Sequence, residues 1–115
     1  MFILLLGLIQ SAVASTFINL SGDWDLGEGK AALRVHHAEM DRLDVLYCKR
    51  KTLIQKNVCT DTTVYEFYYD PSIEAFVLNE ADGRLIFIYP KDEKTLHYKF
   101  KGSWGSDEFD GHRIR

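Results

Sequence analysis

Apolar and polar residues alternate along most of this chain with a period of two. Leu33, Val35 and His37 share one face while Arg34 and His36 share the other. Leu43, Val45 and Tyr47 stand opposite Asp44; Tyr65, Phe67 and Tyr69 alternate with Val64, Glu66 and Tyr68; Leu96, Tyr98 and Phe100 alternate with His97, Lys99 and Lys101. Such a period sends successive side chains to opposite faces of a strand, one packed and one wet. No segment carries a sustained helical period of apolar residues. The pattern predicts strands near 22–27, 31–38, 42–50, 57–62, 63–70, 73–79, 84–90, 95–101 and 108–115, with room for two of them to merge. Between them lie turn formers at 27–29, 70–72, 80–83 and 90–94, rich in Gly, Pro and Asp. The stretches 73–79 and 84–90 are apolar on both faces, so their second face needs a cover, such as a neighbouring subunit. Eight or so short strands joined by tight turns predict an all-β fold. The expected form is a single small antiparallel up-and-down barrel, closed so that no sheet edge is left exposed. A two-sheet sandwich is the alternative architecture.

The first residues break this pattern. Phe2 to Ile9 form an apolar run without acid or base, followed by Ala12-Val13-Ala14. An apolar run before a small-x-small site is the form of a cleaved secretory signal. It is far shorter than the roughly twenty residues that span a bilayer. We therefore expect a signal peptide over 1–14, one mature domain over 15–115, a secreted or periplasmic location, and no transmembrane segment after cleavage. An N-terminal core strand is the other reading of this run. Cys48 and Cys59 are the only cysteines, and in an exported chain an even count favours a disulfide between them. Two buried free thiols are the alternative. Asn19-Leu20-Ser21 is an N-glycosylation sequon, relevant in a eukaryotic host.

Charge and composition narrow the partners. With 17 acids, 14 bases and a net charge of −3, the chain lacks the basic excess of a nucleic-acid binder. At 46% hydrophobic residues it carries the apolar content of a folded core.

Gly22-Asp23-Trp24 opens the first strand, and Gly111-His112-Arg113-Ile114-Arg115 ends the chain. Gly-x-Trp with a C-terminal Arg resembles the signature of the calycins, the lipocalin- and avidin-like barrels. The resemblance implies that Trp24 closes one barrel end and that Arg113 or Arg115 stacks on it, Gly22 allowing the sharp entry of the chain. Trp104, between Gly102 and Gly105, is expected to point inward near the closing hairpin, its glycines suiting a bulge or corner. More loosely, Leu20-Ser21-Gly22-Asp23-Trp24 and the hairpin at 81–85 resemble the periplasmic barrels that inhibit secreted metalloproteases.

Candidate chemistry is sparse. His36 and His37 are neighbours on a strand, so their rings point to opposite faces. With His97 and His112 they could form a metal site, but no spacing demands one; solvated histidines are the default, and we expect neither metal nor cofactor. Asp23 and Asp25 share a strand face, as do many solvated acids. No Gly-x-Ser-x-Gly elbow, P-loop or His-Glu-x-x-His is present, so no catalytic residue is expected. Tyr65, Phe67 and Tyr69 share a face suited either to core packing or to lining a pocket for a small apolar ligand. Between the cysteines, Lys49, Arg50, Lys51 and Lys56 flank Leu53 and Ile54 with no acid among them. We expect a wide loop braced by the disulfide, presenting an apolar tip to a partner, with folding of the tip onto the barrel as the alternative. The expected function is a non-enzymatic binding module, an inhibitor of a protease or hydrolase or another partner-binding protein. A small-ligand carrier using the barrel interior is the alternative.

Overall fold

A computed structural model describes residues 17–115; the expected signal segment, 1–14, lies outside the described residues. Eight antiparallel strands follow one another around a closed barrel. They are β1 (Gly22–Asp25), β2 (Ala32–Glu39), β3 (Arg42–Cys48), β4 (Tyr65–Asp70), β5 (Ala75–Asn79), β6 (Leu85–Pro90), β7 (Thr95–Gly102) and β8 (Gly105–Arg113), with one helix, α1 (Arg50–Lys56), between β3 and β4. Each strand pairs with its neighbours in sequence, which is the up-and-down order. Closure comes from β1 against β8, where Trp24 faces Arg113 and Asp25 faces His112. Two further bonds extend that seam, Asp23 N to Arg115 O at 2.8 Å and Ile114 N to Asp23 O at 2.7 Å.

The alternating positions divide as their period requires. Trp24, Leu33, Val35, Leu43, Val45, Phe67, Phe76, Ile86, Ile88, Leu96 and Tyr98 turn inward and are buried together with Leu20 and Leu26. Phe67 pairs with Leu43, Phe76 with Ile88 and Tyr98 with Phe109, so large side chains line the inner wall side by side, and the Tyr47 and Tyr98 hydroxyls meet between non-adjacent strands at 2.7 Å. A small barrel filled in this way is a packed core. On the outer wall, Val77, Leu85, Phe87 and Tyr89 are only half-buried. Phe87 and Tyr89 stack at 6.2 Å, and the Lys101 ammonium lies 6.0 Å from the Phe87 ring.

Arg113, of the two candidate arginines, occupies the Trp24 face, its guanidinium carbon 4.5 Å from the ring centre. Gly22 sits at φ +141°, and a Cβ there would lie 2.6 Å from Arg113 Nη1 and collide with the Arg115 carbonyl. Here glycine is needed because two backbones and a guanidinium converge.

Three expectations are corrected. Residues 57–62 form no strand. The stretch expected as a wide loop is α1, which ends with Asn57 at φ 55°. Asn57 N donates to Leu53 O and Val58 N to Thr52 O, both at 3.2 Å, the pattern of a left-handed helix cap. Finally, Trp104 is 66% exposed. Gly102 pairs with Gly105, so Trp104 stands at the tip of a two-residue turn and has no inward direction to take. Its ring lies against Gly102 and 6.0 Å from Phe100.

Candidate functional site

One end of the barrel carries the turns 39–42, 70–74 and 91–94 together with the N-terminal segment. Its mouth is a cleft of about 590 Å³. Phe17, His37, Phe76 and Tyr69 line it as a run of touching rings. Phe17 to His37 is 5.4 Å, His37 to Phe76 is 5.4 Å edge-on, and Tyr69 to Phe76 is 5.1 Å. Period-two placement accounts for this run. Phe76 and Tyr69 are paired inward residues of β5 and β4, at the strand ends where the core gives way to solvent. A register shift between His36 and Glu39 bulges β2 there. His36 is left exposed on the outside while His37 turns to the cleft.

The His37 ring is held from both sides. Its Nδ1 accepts from Leu20 N at 3.1 Å, which leaves Nε2 to donate to Met40 O at 3.3 Å. The ring is thus a fixed aromatic wall. Its backbone N also donates to Ser21 Oγ at 2.8 Å, which pins the N-terminal segment and the neighbouring Phe17 to the mouth.

Asp41 and Glu74 complete the lining with Met40 and Pro90. Among the described residues neither carboxylate has an ion-pair partner, whereas nearby Arg42 lies between Glu39 and Asp44. Glu74 has φ 54°, a left-handed conformation uncommon outside Gly, Asn and Asp. The turn that imposes it is tightly tied. Asp70 Oδ1 accepts from Ser72 N at 3.0 Å and Ser72 Oγ at 2.6 Å, and these bonds hold the Asp70 carboxyl below its ordinary range.

The residues singled out from sequence distribute differently. Phe67 is fully buried. Tyr65 packs edge-on against Tyr47 at 5.2 Å, and only Tyr69 reaches the mouth cleft. The three lie at successive depths of the barrel and do not line one pocket. At the opposite end from the mouth, the Tyr47 and Tyr98 hydroxyls meet at 2.7 Å. Burial pushes both phenols up, Tyr98 to about 12.

Cys48 and Cys59 are bonded, with Cα atoms 5.1 Å apart. Leu53, expected at an exposed tip, is instead fully buried against Ala32, Cys48, Leu46 and Cys59. The helix turns Leu53 onto the outer wall of β2 and β3, leaving Ile54 half-buried and Lys49, Lys51 and Lys56 exposed. Arg50 is engaged with Asp25 by two bonds of 2.7 and 3.0 Å.

Asp23 and Asp25 are likewise structural. Asp23, 4% exposed, accepts from Arg34 at 2.9 and 3.1 Å and from Arg115 at 2.9 Å. Arg115 also donates to Leu53 O at 2.9 Å and Ile54 O at 3.1 Å, joining the chain end to α1. Burial raises the Asp23 pKa, but the two arginines outweigh it and hold the carboxyl below its ordinary range. For Asp25, the Arg50 bond outweighs the opposing effect of burial and holds the carboxyl below its ordinary range.

A second cleft, about 420 Å³, lies on the outer wall between Lys91, Thr95, His97, Asp110 and His112. His97 Nδ1 is 2.8 Å from Asp110, so its central polar groups satisfy each other. Among the described residues no cluster of three or more His, Cys, Asp or Glu is placed to hold a metal ion. Sequence reading missed Phe17, Met40 and Glu74 because they sit in turns and at the N-terminal lead, beyond the reach of strand periodicity. Compared with protein-family models, curated proteins and solved structures, the chain matches none.

Proposed function

We propose that this chain is an exported, non-enzymatic binding module of calycin-like form that recognises a partner protein at the barrel mouth. The observation that carries the reading is the mouth itself: a run of four contacting rings opening to solvent above a filled interior. Core side chains occupy the axis, which disfavours a carrier that swallows an apolar ligand. Around the cleft stand Phe17, Met40 and Ile73, exposed by 50%, 74% and 40%. A cluster of exposed large apolar side chains is a common mark of a protein-interaction patch.

Export is supported by the apolar leader and by the Cys48–Cys59 bond, since disulfides persist in oxidising compartments. No described helix is long and apolar enough to cross a membrane. The Trp24–Arg113 stack supports the calycin-like reading. The looser likeness to metalloprotease-inhibitor barrels makes a secreted hydrolase the first partner to try.

The test is a purified mature chain beside its Met40→Lys/Tyr69→Ser variant, each titrated against secreted hydrolases from the same source. Binding by the parent and its loss in a variant that still unfolds cooperatively is the expected result. Equal binding by both would move the partner surface elsewhere.

A further inference from the structure

We infer that the mouth takes a cationic side chain, a lysine or arginine, from a segment of the partner protein. This rests on the mouth being the recognition site and adds the chemistry of what enters it. The lining combines two features that only a cation uses together. The Phe17 and Tyr69 rings, exposed by 50% and 37%, offer negative quadrupole density to a positive charge. Asp41 and Glu74 line the same cleft and, among the described residues, form no ion pair.

An anionic occupant meets those carboxylates with like charge. A neutral apolar occupant satisfies the rings but desolvates two carboxylates without compensation. A cationic head on an apolar stem satisfies both, the stem lying along the rings and the head reaching the acids.

The surroundings carry the same sign. The three turns at this end, 39–42, 70–74 and 91–94, hold six acids against three bases. That field favours approach of a basic segment. Of the described non-glycine residues, only Asn57 and Glu74 have positive φ. Asn57 serves as the helix cap, and Glu74 closes the turn that joins β4 to β5, after the Ile73 N to Asp70 O bond. The source of the cation is a polypeptide and not a free amine, because Phe17, Met40 and Ile73 extend the apolar surface beyond the cleft. A small amine would leave them bare.

The test uses three hexapeptides identical except for a central Lys, norleucine or Glu, with n-butylammonium as the free-amine arm. Each is titrated into the mature chain and followed by NMR at the Phe17, His37 and Tyr69 rings. The Lys peptide is expected to bind about tenfold more tightly than the norleucine peptide, and the Glu peptide least. In Asp41→Asn/Glu74→Gln the Lys and norleucine peptides should become nearly equal. Glu74→Gly, which relaxes the backbone, serves as a second variant should the amide pair fold poorly. Norleucine binding as tightly as Lys at the same rings overturns the cationic inference while the mouth remains the recognition site. Butylammonium binding as tightly as the Lys peptide overturns the polypeptide source. If no peptide perturbs these rings, both the inference and the reading beneath it fall.

Discussion

Arg113 lies flat against Trp24, its guanidinium carbon 4.5 Å from the ring centre, on directly paired positions of the first and last strands. The same guanidinium donates to three backbone carbonyls, those of Ser21 at 2.5 Å, Asn19 at 2.7 Å and Glu93 at 2.5 Å. Trp24 Nε1 in turn donates to Leu20 O at 2.9 Å. One planar cation thus joins the N-terminal lead, the closing seam and the β6–β7 turn. A lysine has neither the plane nor the fork of donors to do this. Arg113→Lys should cost about 2 kcal/mol, from the lost stack and the carbonyls left without a partner. Trp24→Ala should cost about 3–5 kcal/mol, as for other large aromatics removed from cores. Urea denaturation measures both, and a loss below about 0.5 kcal/mol for Arg113→Lys would show that closure does not depend on the stack.

Asp23 makes closure sensitive to acid. Its carboxyl is held below the ordinary range by Arg34 and Arg115, against the opposing effect of burial. A group with a depressed folded pKa contributes stability above its unfolded value, near 4, and loses it as pH falls through the folded value. The parent should therefore lose stability below about pH 4 more steeply than Asp23→Asn. At neutral pH the substitution should cost about 2 kcal/mol, moderated because both guanidinium groups are partly exposed. Denaturation midpoints measured from pH 2 to 7 test this. Parallel curves for the two proteins would remove Asp23 from the acid response.

The helix between the cysteines makes opposite predictions for adjacent residues. Leu53 is fully buried, so Leu53→Asp should cost at least about 3 kcal/mol. Ile54 is half-buried, and Ile54→Asp should cost about 1 kcal/mol or less. Removing both cysteines should cost about 2–3 kcal/mol, set by the sequence separation of 11 that the bond closes. Thermal unfolding of the three variants separates these cases. Equal effects at 53 and 54 would mean that the helix does not dock through Leu53.

Most of the barrel was legible because its signal is periodic. Where inward residues alternate over several positions, as at Leu33-Val35 or Phe67-Tyr69, burial on one face leaves no other register. The helix was not legible. Seven residues with one buried position are too few to display a 3.6-residue period, although Lys, Arg, Leu and Gln favour helix and Asn57 suits a left-handed cap. Trp104 misled for a different reason. Large aromatics are usually inside, yet the Gly102–Gly105 pairing places it at a turn, where there is no interior to reach. Of the mouth, Tyr69 and His37 could be assigned to the inner face from the pattern. The rest of the cleft depends on how three turns and the N-terminal lead converge, a relation between distant residues that no local period encodes.

Glu74 gives a prediction in which stability and binding move in opposite directions. Its φ of 54° places an L-residue where Cβ approaches the neighbouring backbone, at a cost of about 1–2 kcal/mol. Glycine avoids that cost but gives the unfolded chain more freedom, returning about 0.5–1 kcal/mol. The net for Glu74→Gly is a gain of about 0.5–1 kcal/mol, or roughly 3–6 °C in Tm for a domain of this size. The same change deletes a carboxylate from the mouth, so binding of the partner should weaken. Glu74→Ala removes the carboxylate without relieving the backbone, and should weaken binding equally with no gain in Tm. Calorimetric melting and partner titration on the two variants read the separate effects. If glycine lowers Tm, the Glu74 side chain is packing and not merely presented. If both variants bind as the parent does, the acid at this rim has no part in recognition.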